Sequence, residues 1–315
     1  SSAASDVYKR QERDRDTEYD ESECTAISLS DEETKCDSDG VKMDGQTVTI
    51  TEGGTYLLTG SLSNGSVVVD TDKTEKVQLI LENVSIINEE GAGICVEQAD
   101  KVFITLADGS TNKIVSNSFT GNEDTNIDGA IFSREDLTLN GSGTLKITSA
   151  AHGIVSKDDL VLTGGVYQIQ SEKQGLSGKE SVRIADGTFT ITSGTDAIHS
   201  EDTDEDTKGF VYITGGVLTL AAGGDGISSS YVVQADGGSF DISTSSTETD
   251  TSTKGIKAQK YVILKDGTYQ LATADDGIHC NGNVYVCGGT YSINSGDDGI
   301  HADCLLYTSD AADDL

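Results

Sequence analysis

From Val41 onward the chain alternates apolar and polar residues over short runs, and Gly, Asn and Asp punctuate the runs. Val48/Ile50, Tyr56/Leu58, Val67/Val69, Leu79/Leu81, Val84/Ile86, Ile94/Val96 and Ile104/Leu106 each stand two residues apart. That is the period of a strand with one inward face, and no stretch carries a helical period. A polar insertion, Asn117 to Asp128, interrupts the pattern before Gly129.

Beyond Gly153 the alternation becomes a repeat. A Gly-Ile step or its equivalent places an apolar residue at 154, 176, 198, 227, 256, 278 and 300, with spacings of 22, 22, 29, 29, 22 and 22 residues. Counted from each of these, further apolar residues recur at +6, +8, +13 and +15: Val182, Ile184, Phe189 and Ile191 in one coil, Val262, Leu264, Tyr269 and Leu271 in another. A fixed period of this size denotes a solenoid. The prediction is an all-β, right-handed parallel β-helix of about 22 residues and three short strands per coil, because parallel crossovers are right-handed almost without exception. Gly164-Gly165, Asp186-Gly187, Gly215-Gly216, Asp266-Gly267 and Gly288-Gly289 mark the turn between the second and third strands. The 29-residue spacings are loop insertions, Glu201 to Lys208 and Ser245 to Thr253. Loops on a rigid solenoid are where binding concentrates. The first of them reads as a flexible acidic loop whose Asp202, Asp204 and Asp206 could also serve as ligands.

The β-helix is expected over 40–303. Residues 12–39 are rich in Asp, Glu, Ser and Thr and read as an acidic linker or loosely attached cap. Residues 1–11 (SSAASDVYKRQ) back-translate onto a transposase-type sequencing adapter, and the segment from Cys304 onward onto its reverse complement. Both ends are therefore expected to be read-through and are excluded from fold reasoning.

Composition narrows the function classes. The 315 residues include no Pro and no Trp, carry 35% hydrophobics and have a formal net charge of −33. A thin apolar column inside a large polar surface accounts for this combination. The acidic balance argues against nucleic acid and anionic membranes as partners, and no run is long and apolar enough to span a bilayer. With Cys304 set aside, Cys24, Cys36, Cys95, Cys280 and Cys287 match no zinc spacing. A Cys24–Cys36 disulfide is conceivable, while Cys95, Cys280 and Cys287 read as small buried or turn-stacked residues.

Stacking turns equivalent positions into columns. Two residues before the repeat residue stand Asp196, Asp225, Asp276 and Asp298, with His152 and Gln174 in earlier coils; one residue further back stand Asp275 and Asp297. Carboxylates a strand spacing apart repel, which raises pKa values or demands a cation. Oxygen donors without clustered Cys or His favour Ca2+. The alternative is a solvent-screened column of aspartates acting as turn formers. His199, His279 and His301 follow the repeat residue directly, and the last two are expected to stack and to pack against sugar, together with Lys257. Lys254 and Lys257 flank Gly255-Ile256 beside the acidic column. A lysine next to calcium is what a pectate lyase uses to remove the uronate C5 proton; a lysine paired with nearby acids is the alternative.

The order GQTVTITEGGTYLLTGSLSNGSVVVD, VQLILENVSI, VFITLADGSTNKI, GAIFSREDLTLNGSGTLKIT, GIVSKDDLVLTGGVYQIQS and GDDGIHA resembles the bacterial carbohydrate-binding β-helix family over roughly residues 40–303. That resemblance implies a fold similar to calcium-dependent pectate lyases, an association with calcium, and a secreted or surface-anchored binder of plant cell-wall polysaccharide; the expected ligand is pectin-type or cellulose, and the expected state is a monomer. The competing functions are a calcium-dependent pectate lyase and a structural stalk or adhesin. The family's later coils are missing from this sequence, so a site shared with them is expected to be incomplete.

Overall fold

The computed structural model describes residues 12–122, 124–246 and 252–309. The chain divides into two compact units, Ser1–Glu172 and Lys173–Leu315. Each is a parallel β-helix of three-stranded coils.

In the first unit, one sheet runs Thr25–Leu29, Gly54–Leu62, Lys76–Leu81, Lys101–Leu106, Asp136–Gly141 and Asp159–Leu162, each pairing in parallel with the next. A second begins with an antiparallel hairpin, Val41–Asp44 against Thr47–Ile50, and continues in parallel through Ser66–Asp70, Ile94–Gln98, Gly129–Ser133 and His152–Ser156. The alternating residues at 48, 50, 67, 69, 94 and 96 are fully buried. The 117–128 insertion lays Ile127 against an outer apolar cluster of Ala92, Cys95, Phe132 and Val155.

The acidic segment 12–39 is more firmly integrated than its composition predicted. Thr25–Leu29 is a strand of the first sheet, with Ile27 and Leu29 in the core. Ahead of it, Asp14 is buried, 2.6 Å from Lys101 Nζ and accepting from Thr138 Oγ1 at 2.6 Å. A charge taken out of water needs such partners, and Asp14 has them. Cys24 and Cys36 are free thiols, so the conceivable disulfide is not formed; Cys95 and Cys280 are buried, whereas Cys287 is exposed.

In the second unit, the short strands Leu176–Gly178, Ile198–Ser200, Ile227–Ser229, Ile256–Ala258, Ile278–Cys280 and Ile300–Ala302 stack in exact register, isoleucine over isoleucine from 198 on. The +6, +8, +13 and +15 residues of the period form its core: Val182, Ile184, Phe189, Ile191, Val262, Leu264, Tyr269 and Leu271 are all at most 1% exposed. Phe240, Tyr269 and Tyr291 stack down one column with centroids 4.7 Å apart and planes 2° from parallel. Gly187, Gly216, Gly238, Gly267 and Gly289 share one turn position with φ between 99° and 126°. A Cβ on Gly267 would meet Gly238 O at 2.9 Å, so both the backbone angle and the close stacking of turns require glycine there. Leu305–Thr308, from the segment expected to be read-through, pairs with Asn283–Val286 and is exposed at every residue.

The Glu201–Lys208 insertion is anchored, contrary to the expectation of a flexible loop. Asp202 Oδ1 accepts from the backbone N–H of Asp204 and of Glu205, at 2.8 and 3.1 Å. Lys179 pairs with Asp204 at 2.7 Å, and Lys208 bridges Glu180 and Glu205. Asp202 thereby serves as a turn former, and Asp204 is committed to a lysine. Of the second insertion, residues 247–251 lie outside the described residues. Among the described residues, no helix is long and apolar enough to cross a membrane.

Candidate functional site

The predicted columns assemble on the second unit, along the edge where each third strand turns into the next short strand. Register puts the residue two before each isoleucine in one file: Asp196, Asp225, Lys254, Asp276, Asp298. The aspartates do a definite structural job. Asp225 N–H donates to Asp196 Oδ1 at 2.7 Å, Lys254 N–H to Asp225 Oδ1 at 2.8 Å, and Asp298 N–H to Asp276 Oδ1 at 3.0 Å. One carboxylate oxygen per coil thus satisfies the backbone N–H of the next coil, where the turn offers no strand partner.

The second oxygen faces a cation or an imidazole. Asp196, Asp276 and Asp298 each hold Nδ1 of the histidine three residues on, at 2.9, 2.7 and 3.1 Å for His199, His279 and His301. A carboxylate only accepts, so Nδ1 carries the proton. Ser228 replaces histidine in the coil of Asp225, and there Lys257 of the following coil comes within 3.4 Å of Asp225 Oδ2. The outer imidazole nitrogens are engaged as well: His199 Nε2 is 3.5 Å from Glu201, His279 Nε2 2.9 Å from Asn281 Oδ1, and His301 Nε2 2.9 Å from Asp303. The orienting partners of the histidines were present in the sequence as an Asp-x-x-His spacing; Asn281, Glu201 and Asp303 had no comparable signal.

Charge within the file is unevenly compensated. Burial drags the His199 imidazole downward, but Asp196 and Glu201 outweigh it and leave the pKa above the usual 6.5. Hydrogen bonds to Asp298 and Asp303 raise that of His301. Burial, with the Asp196 charge behind it, pushes the Asp225 carboxyl up against the opposing pull of the Lys254 N–H and Lys257. Asp275 is held low, chiefly by the hydrogen bond from Lys254.

Two groups of side chains converge closely enough to share a cation. One ligand atom each from Asp275, Asp276 and Asp297 lies within 4.8 Å of the others, and the same holds for Asp276, His279 and His301. Asp196 and Asp225 stand in the same file but outside both groups, committed to His199 and Lys257. Asp298 is likewise engaged by His301 and lies outside them. Beside the first group opens a shallow trough lined by Thr244, Ser245, Thr273, Asn294 and Ser295. Hydroxyls and an amide share it with Ala272, Ala274 and Gly296, a mixed surface that can meet both the hydroxyls and the C–H faces of a sugar. Its lining was not singled out by sequence, because Ser and Thr at outward strand positions look the same everywhere on this fold.

Lys254 is buried with its side chain 8% exposed, and its Nζ has three acceptors: Asp275 Oδ2 at 2.8 Å, Ser252 Oγ at 2.6 Å and Ser252 O at 3.1 Å. Lys257 remains 39% exposed. Lys254 thus matches the sequence alternative of a lysine paired with acids, and Lys257 reaches one acid more loosely.

A carbohydrate-binding domain-containing protein of Acetivibrio thermocellus is 34% identical over 137 residues, which is 42% of this chain and 48% of that protein, so the match spans about half the relative's length. The solved structure of a polysaccharide lyase-like protein from C. thermocellum, a gadolinium derivative, superposes with a TM-score of 0.69 at 28% identity, covering 85% of this chain and 100% of that one. The profile of a family described as carbohydrate-binding domain-containing protein matches residues 44–299, across both units. This chain belongs to the carbohydrate-binding domain-containing protein family.

Proposed function

We propose that this protein is a non-catalytic, calcium-assisted binder of acidic cell-wall polysaccharide, secreted or held at the cell surface. The observation that carries the reading is the juxtaposition, on one edge of the second unit, of the hydroxyl-lined trough with the carboxylates of Asp275, Asp276 and Asp297.

The donor set suits a hard cation. Asp297 is exposed, and its carboxylate makes no hydrogen bond or ion pair with a described residue. Asp275 Oδ2 accepts from both Lys254 Nζ and Ser252 Oγ, while Asp276 has given up one lone pair on each oxygen and keeps the other. Three protein oxygens leave several of the six to eight positions of calcium open for water and sugar oxygens. A chain with a formal charge of −33 repels polyuronate, and a cation between protein and sugar carboxylates reverses that repulsion.

The lysines support a binder over a lyase. A base that removes the uronate C5 proton needs a free lone pair within reach of it. Lys254 points its amine inward to three acceptors, and Lys257 leans on Asp225. The test is a pull-down on polygalacturonate and on cellulose, with calcium and with chelator, while the supernatant is followed for the ultraviolet absorbance of unsaturated product. Calcium-dependent retention on polygalacturonate without absorbance is the expected outcome. Retention unchanged by chelator overturns the bridging role, accumulating absorbance overturns the binder, and no retention on either glycan favours a stalk.

A further inference from the structure

Lys254 breaks the column of aspartates without disturbing its backbone. Ile256 pairs with Ile227 on one side and Ile278 on the other, so Lys254 stands directly between Asp225 and Asp276. Its N–H donates to Asp225 Oδ1 at 2.8 Å, just as Asp225 N–H donates to Asp196 at 2.7 Å. Only the side chain differs, and it does so in a buried place. A lysine is seldom buried unless paired, and this one is paired on all three protons. Ser252 completes a small closed ring, since its Oγ also lies 3.0 Å from Asp275 Oδ2.

The neighbouring carboxylates explain the need for a cation here. Asp225 and Asp276 are 7% and 4% exposed, and Asp275 precedes Asp276 in the coil that follows Lys254. Stacked carboxylates in a low-dielectric edge require a compensating positive charge. An ammonium is a compact point charge with three donors, and at this rung it lies against the Asp275 carboxylate.

We propose that Lys254 is a built-in cation: its ammonium holds the place beside Asp275 that an exchangeable divalent cation would otherwise fill. The rung therefore keeps its shape without metal. On the calcium reading given above, on which this last step rests, exchangeable metal is confined to the outer side of the Asp275–Asp276–Asp297 group, next to the trough.

The experiment compares the full chain with Lys254→Met, which keeps an unbranched stem as far as the ε carbon and removes the ammonium. Thermal unfolding is followed in chelator and in millimolar calcium, and bound Tb3+ is counted by luminescence titration. In chelator the variant is expected to melt about 5–10 °C below the parent. Calcium should restore more of that loss than it adds to the parent, and the variant should bind one Tb3+ more than the parent. A loss of stability that no cation restores, or an unchanged Tb3+ count, overturns the inference. Should Lys254→Met fail to fold in chelator, the double variant Lys254→Met/Asp275→Asn decides: stability regained with no additional Tb3+ supports it, and a variant still unfolded overturns it. A parent that binds no Tb3+ sinks the calcium reading alone, because the gain of an ion by Lys254→Met stands apart from it.

Discussion

His279 and His301 lie face to face on successive coils, ring centroids 4.9 Å apart and 13° from parallel, each with Nδ1 on the aspartate three residues before it. The pairing follows from the repeat: a 22-residue period puts the same side chain in the same rotamer one strand spacing away. The same period repeats the aspartate three residues before each histidine, so each stacked ring keeps its own acceptor.

The inner aspartate should therefore matter more to the fold than its acidity suggests. Asp276 Oδ1 satisfies the Asp298 N–H and Oδ2 holds His279, with the side chain 6% exposed. Asp276→Ala removes both bonds and leaves a backbone donor and an imidazole N–H unsatisfied. The expected cost is roughly 2–4 kcal/mol, read from urea midpoints. Asp276→Asn keeps an acceptor for the N–H and should cost less than half as much.

Sequence legibility divides along the same line. The period from Ile154 to Ile300 revealed the β-helix, because inward columns must be apolar in every coil and turn glycines must recur where Gly238 meets Gly267. It placed the carboxylate file too, since register follows from the period. The internal commitments of the file were hidden. That Asp225 turns to Lys257 while Asp276 turns to His279 depends on side-chain reach between coils. The integration of 12–39 was equally concealed, because a single strand, Thr25–Leu29, with two inward residues is too brief for a period, and the value of Asp14 lies in Lys101 and Thr138, distant in the sequence.

The histidines make stability pH-dependent with a definite sign. His199 and His301 have pKa values raised above the usual 6.5 in the folded chain. A group of this kind contributes stability that is fully present below its unfolded value and is lost as pH rises through the folded value. Melting temperature should thus fall as pH is raised from about 6.5 toward 8. His199→Gln should flatten that slope, measured by thermal melts across the range. A slope unchanged in His199→Gln would assign it to other groups.

The aromatic column offers a separate test of how the core is held. Tyr269 is 1% exposed, stacks on both Phe240 and Tyr291, and donates its hydroxyl to Asp266 O at 2.8 Å. Tyr269→Phe keeps the stack and leaves one carbonyl unpaired, for an expected loss of about 1–2 kcal/mol. Tyr269→Ala opens a cavity between two rings and should cost about 3–5 kcal/mol. Denaturant unfolding distinguishes the two, and equal losses would mean that the hydroxyl, not the stack, dominates.

Asp297 separates binding from folding within the carboxylate group. Its neighbours Asp275 and Asp276 serve the fold, through Lys254 and through His279 and the Asp298 N–H, so substituting either disturbs structure and ligand together. Asp297 is exposed, and its backbone carbonyl, which accepts from Ser295 Oγ, survives a side-chain change. Asp297→Asn should leave the melting temperature in chelator unchanged. It removes one of three charged donors from the proposed cation position, and a charged donor there is worth about 1.4 kcal/mol or more, tenfold in affinity. Calcium-dependent retention on polygalacturonate should weaken by about that factor, while any retention that persists in chelator stays as it was. Full calcium-dependent binding by Asp297→Asn would move the cation away from this edge, since no other carboxylate of the group stands free of a structural partner.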